Sequence, residues 1–136
     1  MAIAALVVWV ITALGGSYLL AKWVAGGGPR RESPTKVPPA LLVGHFFLAA
    51  VGLVLWIIYV ALDETSVGWI AFIALVPVAL LGFAMFARWI PAHRNRSRDE
   101  ETSRHHFPVA VVGAHGVLAV ATLVLVLLTN LHIGTR

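Results

Sequence analysis

Four long apolar segments alternate with short polar ones along the chain. They span about residues 2–24, 38–62, 67–90 and 108–131. Each is as long as the roughly 20 apolar residues that a helix needs to cross the hydrocarbon core of a bilayer. The pattern predicts an all-α integral membrane protein, whose four spanning helices make up a single transmembrane domain over residues 1–136.

The composition agrees with this prediction. Of the 136 residues, 60% are hydrophobic and 12% are charged, whereas soluble domains carry about 25% charged residues. The first segment lacks the basic start of a signal peptide, and its apolar run is longer than a signal peptide needs, so we interpret it as a span. Because the connections are short, we expect an up-down-up-down four-helix bundle.

Several classes of site are excluded by residues that the chain lacks. It contains no cysteine, which excludes a disulfide framework, a thiolate metal site, an iron–sulfur cluster and covalent c-type haem. The glycine-rich stretch 25–29 has no strand before it and no phosphate-loop lysine, so it is interpreted as a linker. No catalytic triad or carboxylate pair can be placed, and whether the protein is an enzyme stays open.

The charged residues predict how the helices are oriented. The short turn 63–66 carries only acidic charges, Asp63 and Glu64, while the basic residues lie in or beside the loops 25–37 and 91–107. Positive loops stay in the cytoplasm, so we expect both long loops on the cytoplasmic side of the plasma membrane and both termini on the outer side. The net charge of +4 is therefore interpreted as topology rather than as nucleic-acid binding. The basic residues are Lys22, Arg30, Arg31 and Lys36, and Arg88, Arg94, Arg96, Arg98 and Arg104.

Two stretches that lie 70 positions apart share an unusual pattern. "PPALLVGH" (38–45) and "PVAVVGAH" (108–115) both run from a proline to a histidine. With an offset of 66, "GSYLLAKWV" (16–24) matches "GFAMFARWI" (82–90). Apolar residues often match by chance, but the proline–histidine and basic–tryptophan matches are rarer. They predict a duplicated helical hairpin, with a pseudo-two-fold axis along the membrane normal. The predicted repeat units are about residues 1–66 and 67–136.

In the predicted duplication, the two intramembrane histidines occupy equivalent positions. The duplication places the second and fourth spans on a diagonal of the bundle, on the order of 11–14 Å apart, with His45 and His115 facing each other. Each histidine lies seven residues past its proline, or about 10 Å into the helix. A polar side chain at this depth is costly and indicates a functional site. We predict that the two histidines ligate the iron of one haem b.

Other readings of the pair stay open. The histidines could instead be structural and form hydrogen bonds between helices. A zinc ion fits less well, because it prefers four ligands and no cysteine or carboxylate lies at this depth. A transporter is the least supported alternative, since no Asp, Glu, Lys or Arg lies deep in any span.

Small residues beside the histidines are predicted to accommodate a flat ligand. They are Ala49 and Gly52 on the second span and Ala119 and Thr122 on the fourth. Gly16 and Gly82 on the other spans are ambiguous, because small residues also mark ordinary helix interfaces. Basic side chains near the cytoplasmic boundary are candidates to bind the haem propionates: Lys36, Arg88, Arg104 and His106.

The remaining histidines do not predict a second site. His93, His105 and His106 lie in a basic loop and are interpreted mainly as surface residues, while His132 matches Leu62 in the repeat. We therefore expect a single haem on the cytoplasmic side, which exchanges electrons with quinone, a soluble donor or a partner protein.

A four-helix bundle with His45 and His115 paired across it resembles the small b-type membrane cytochromes, including the cytochrome b561-like group. The resemblance implies haem b and electron transfer, and the chain departs from it in lacking a second histidine pair. Runs such as "HGVLAVATLVLVLL" (115–128) are also similar to four-span membrane proteins common in high-GC actinobacteria, which implies no activity. The alternative function is a non-catalytic membrane subunit or assembly factor of a larger complex. The sequence leaves monomer and homo-oligomer equally open.

Overall fold

A computed structural model describes residues 1–28, 37–96 and 108–132, with only the backbone described over 92–96. The described residues form four α-helices and no β-strand, which confirms the all-α four-helix prediction. Each helix is long and apolar enough to cross a membrane, so the chain is a multi-pass membrane protein. The helices are α1 (Ala2–Ala25), α2 (Pro39–Leu62), α3 (Thr65–Arg96) and α4 (Val109–Asn130).

The helix boundaries follow from local sequence. Pro38 and Pro108 are extended residues directly before α2 and α4, where a proline loses no helical hydrogen bond. Asp63 ends α2 in a left-handed conformation with φ 54°. α3 continues through Pro77 and Pro91 to Arg96, beyond the predicted end of the span at residue 90.

The four helices form a ring in chain order. α2 packs most extensively on α3, and α1 on α4, while the α1–α2 and α3–α4 interfaces are smaller. The backbones of the diagonal partners, α1 with α3 and α2 with α4, do not approach each other within the described residues. We call the end of the bundle near residues 25, 39, 91 and 109 the loop end, and the opposite end the turn end.

The buried core lies towards the turn end. Trp9, Trp56 and Tyr59 form its aromatic part, with ring centroids 6.4 Å apart for the two tryptophans and 4.6 Å apart for Trp56 and Tyr59. Trp56 Nε1 also donates a hydrogen bond to the carbonyl oxygen of Ala2. The remaining core residues are Ala5, Ala71, Leu75, Val78 and Val126.

Burial stops abruptly partway along the bundle. The last buried positions towards the loop end are Thr12, Gly52, Val78 and Thr122, one on each helix. Beyond them, Trp23 is the only buried residue among the described side chains of the four helices. The turn half of the bundle is therefore a packed core, whereas the inward-facing side chains of the loop half are partly exposed.

Candidate functional site

The imidazoles of His45 and His115 meet across the bundle, just beyond the packed core. His45 lies on α2 and His115 on the diagonally opposite α4. Their ring centroids are 6.4 Å apart and their planes form an angle of 69°. Both side chains are partly exposed, so the pair lies where the packed half of the bundle gives way to the open half.

Each imidazole is held by a backbone carbonyl of a neighbouring helix. His45 Nδ1 is 2.9 Å from the carbonyl oxygen of Val78 on α3, and His115 Nδ1 is 3.0 Å from that of Thr12 on α1. A carbonyl oxygen can only accept a hydrogen bond, so in the neutral ring Nδ1 carries the proton and donates the hydrogen bond. The Nε2 atom of each ring then keeps its lone pair, which is free to bind a metal.

A glycine lies against each ring, one turn beyond the carbonyl. A Cβ atom added to Gly16 would be 3.0 Å from His115 Cε1, and one added to Gly82 would be 3.1 Å from His45 Cε1. Both distances are shorter than ordinary van der Waals contact. The absence of a side chain on Gly16 and Gly82 therefore lets each imidazole approach the backbone of the helix that it bonds.

The four small residues predicted as ligand contacts fall into two groups. Ala49 and Ala119, one turn from the histidines, are partly exposed. Gly52 and Thr122 lie about 10 Å from the histidines along their helices and are buried in the core. The geometry thus favours Ala49 and Ala119 as ligand contacts.

Protein side chains already occupy the surroundings of the two buried positions. An added Cβ on Gly52 would be 3.1 Å from the indole of Trp9. Thr122 Oγ1 donates to the carbonyl oxygen of Leu118 at 2.8 Å and lies 3.3 Å from Thr12 Oγ1. Contact between a ligand and Gly52 or Thr122 would require the Trp9 and Thr12 side chains to move.

The polar residues predicted to bind haem propionates are only partly described. Arg88 is exposed near the loop end of α3. Trp23, predicted only as a residue of the membrane boundary, is buried under Gly28, and its Nε1 has no hydrogen-bond partner among the described residues. His132 lies past the end of α4, at the turn end. Lys36, Arg104, His105 and His106 lie outside the described residues. His93, which was predicted to lie in the loop, falls within α3, where only its backbone is described.

Sequence reasoning selected the two histidines but not the groups that hold them. The carbonyls of Thr12 and Val78 carry no side-chain signal. Gly16 and Gly82 did carry one, because they match each other at the offset of 66 and lie on α1 and α3, the helices that carry neither His45 nor His115. A repeated glycine on a neighbouring helix was the available clue to where each imidazole would pack.

Two imidazole nitrogens are a small ligand set. Within the described residues no group of three or more His, Cys, Asp or Glu side chains could hold a metal ion, and bare ions such as zinc usually need four ligands. The pair therefore suits a metal that brings its own equatorial ligands. No family model, no curated protein and no solved structure matches the chain.

Proposed function

We propose that the protein is a membrane b-type haem protein, in which His45 and His115 ligate the iron of one haem b from opposite faces. The haem supplies reversible one-electron chemistry when it is bound. The electron partner would be quinone or another protein. The observation that carries the proposal is the pair of opposed imidazoles 6.4 Å apart, each with Nδ1 engaged by a backbone carbonyl.

The spacing of the rings fits ligation from two sides. A metal–nitrogen bond is about 2 Å long, and the ring centre lies about 1 Å further on, so two ligands on opposite sides of a metal have ring centres roughly 6 Å apart. The observed distance is 6.4 Å. The centroid spacing is therefore compatible with a metal held between the two rings.

The hydrogen bonds to Val78 and Thr12 supply the outer support that metal-binding histidines usually have. A ligating histidine nearly always donates its other ring N–H to a carbonyl, a carboxylate or water, which fixes the tautomer and raises the basicity of the ligand nitrogen. Here both imidazoles donate from Nδ1 to a carbonyl on a tightly packed neighbouring helix. Both Nε2 atoms are thereby the ligand atoms of the proposed site.

The distribution of packing supports one haem rather than two. The loop half has partly exposed inward-facing side chains around the histidines. In the turn half Trp9, Trp56 and Tyr59 fill the interior. A second macrocycle at the turn end would displace this aromatic core.

The sequence match and the loop charges support a site within the membrane. Each histidine contacts the carbonyl and the glycine that the offsets of 70 and 66 make equivalent, which supports a duplicated hairpin. The basic loops support a loop end in the cytoplasm, with both termini outside the plasma membrane. The haem would then lie nearer the inner face, with Arg88 and Lys36 as partners for its propionates.

The proposal is tested by one spectrum. Protein purified in detergent from haem-replete cells should show a Soret band when oxidised and a sharp α-band when reduced, and pyridine extraction should identify haem b. His45→Ala and His115→Ala should each lose most of the bound haem. His132→Ala, at the turn end, is the matched control and should keep it. Colourless wild-type protein that takes up no added haem would overturn the proposal.

A structural role is the second candidate, and the same hydrogen bonds favour it. They already join α2 to α3 and α4 to α1, as helix-packing histidines would. In that case the protein would be a subunit or assembly factor of a larger membrane complex. His45→Ala would then weaken the haem-free bundle, the wild type would bind no haem, and a native pull-down would recover a stoichiometric partner.

A further inference from the structure

We propose that Gly16 and Gly82 are positioning residues, which set the planes of the two imidazoles and hold the two axial ligands of the haem far from parallel. The inference rests on the proposed function, since it concerns the orientation of the same ligands. It adds a role for two glycines on the helices that carry no ligand, α1 and α3.

Each imidazole is fixed at two points by one neighbouring helix. For His115 these points are the carbonyl oxygen of Thr12, bonded to Nδ1 at 3.0 Å, and the backbone at Gly16, against which Cε1 lies. For His45 they are the carbonyl oxygen of Val78 and the backbone at Gly82. The hydrogen bond restricts the rotation of a ring about its Cβ–Cγ bond at one point only. The second contact removes the remaining freedom.

Only a glycine permits this second contact. A methyl group on Gly16 or Gly82 would approach the ring to 3.0 or 3.1 Å, so the imidazole would have to shift or rotate. Three glycines on the helices that carry the histidines have no such neighbour. A Cβ atom added to Gly44, Gly113 or Gly116 would meet nothing within 4 Å. The chain thus provides internal controls for the same substitution.

The resulting angle of 69° between the ring planes has a spectroscopic consequence. The π orbitals of parallel imidazoles interact with the same iron dπ orbital and separate it in energy from the second dπ orbital. Imidazoles that are nearly perpendicular act on different d orbitals and leave the two close in energy. Ferric low-spin haem with ligands at a large angle therefore gives a highly anisotropic electron paramagnetic resonance signal, with one dominant low-field feature.

The test is the paramagnetic resonance spectrum of the oxidised haem-loaded protein. The wild type should show the highly anisotropic signal, and Gly16→Ala and Gly82→Ala should each displace its low-field feature. Gly113→Ala and Gly116→Ala should give the wild-type spectrum. A wild-type spectrum with the three resolved features of near-parallel imidazoles would overturn the inference, even if neither variant folds. So would variant spectra that superimpose on the wild type.

A second measurement needs no haem and separates this inference from the proposed function. In the haem-free protein Gly16→Ala and Gly82→Ala should lower the thermal unfolding temperature relative to Gly113→Ala, because only they press a methyl group against an imidazole. Equal unfolding temperatures for all these variants would show that the glycine–imidazole contacts are not restrictive, and would overturn the positioning role. Lowered temperatures in a protein that never binds haem would instead overturn the proposed function and leave the ring contacts supported.

Discussion

Trp9 lies on Gly52, and this contact closes the packed core on the side that faces the histidines. A Cβ added to Gly52 would be 3.1 Å from Trp9 Cζ2. At the positions that the proposed repeat would make equivalent, the chain has Leu75 in place of Trp9 and Thr122 in place of Gly52. A large residue paired with a small one in the first half of the chain thus corresponds to two residues of intermediate size in the second half. The summed side-chain volume of the two pairs is therefore similar, as close packing of the core requires.

Gly52→Ala is expected to destabilise the haem-free protein by about 1–3 kcal/mol, because the added methyl group overpacks a closed layer. Gly44→Ala is the control, since its methyl group would meet nothing within 4 Å, and it should be neutral or slightly stabilising. Thermal unfolding in detergent would measure both changes. Equal effects of the two substitutions would contradict the contact between Trp9 and Gly52.

The double variant Trp9→Leu/Gly52→Thr reproduces the residue pair of the other half and should be more stable than the sum of its single variants predicts. Residues in contact typically show coupling energies of about 0.5–3 kcal/mol in a double-mutant cycle. Thermal or denaturant unfolding of the four proteins in the cycle would measure this coupling. Additive effects would argue against the two sites sharing one packed layer.

Thr12 contributes to the site through its carbonyl oxygen, whereas its hydroxyl group serves packing. Thr12 Oγ1 donates to the carbonyl oxygen of Val8 at 2.7 Å and lies 3.3 Å from Thr122 Oγ1. Thr12→Val should therefore cost only about 1 kcal/mol of stability and leave the haem spectrum of the loaded protein unchanged. A large spectral change in Thr12→Val would show that the hydroxyl group acts on the ligand.

Haem is expected to stabilise the wild-type protein against heat. A ligand that binds only the folded state at 100 times its dissociation constant adds about 2.7 kcal/mol. Unfolding temperatures with and without added haem would show the increase in the wild type, and a much smaller one in the double variant His45→Ala/His115→Ala. An increase of the same size in both proteins would indicate haem binding elsewhere on the chain.

Hydrogen exchange should divide the helices at the level where burial stops. We expect slow amide exchange around Trp9 and Trp56, in the packed core, and faster exchange around Gly16 and Gly82, since local opening requires less energy where few groups are buried. Mass spectrometry of the detergent-solubilised protein would measure this. Added haem should slow exchange selectively in the loop half, and uniform protection along each helix would contradict the division.

The helices and their number could be predicted from the sequence because the requirement for about 20 apolar residues is strict. The end of α3 could not, because hydropathy marks only where the apolar residues stop. The helix continues through polar residues to Arg96. The opposition of His45 and His115 was predictable from the match between residues 38–45 and 108–115, because a duplicated hairpin would place both histidines at equal depth in a parallel pair of helices.

What the sequence could not supply was the packing around the imidazoles. Whether Gly52 faces a ligand or an indole depends on which rotamer Trp9 adopts across a helix interface, and helical periodicity alone does not determine this. The same holds for Gly16 and Gly82, whose contacts involve a side chain 99 or 37 positions away in the chain. A pattern of side chains also cannot indicate which backbone carbonyl will accept a hydrogen bond.

The two extensive interfaces, α2 with α3 and α1 with α4, each contain one complete histidine–carbonyl pair. The pair of His45 and the Val78 carbonyl can form as soon as α2 and α3 have been synthesised and inserted. The second joins α1 to α4, so it forms only after all four helices have been synthesised. Haem ligation from two sides would thus report that all four helices have been inserted, and any chain truncated before α4 would retain one ligand at most.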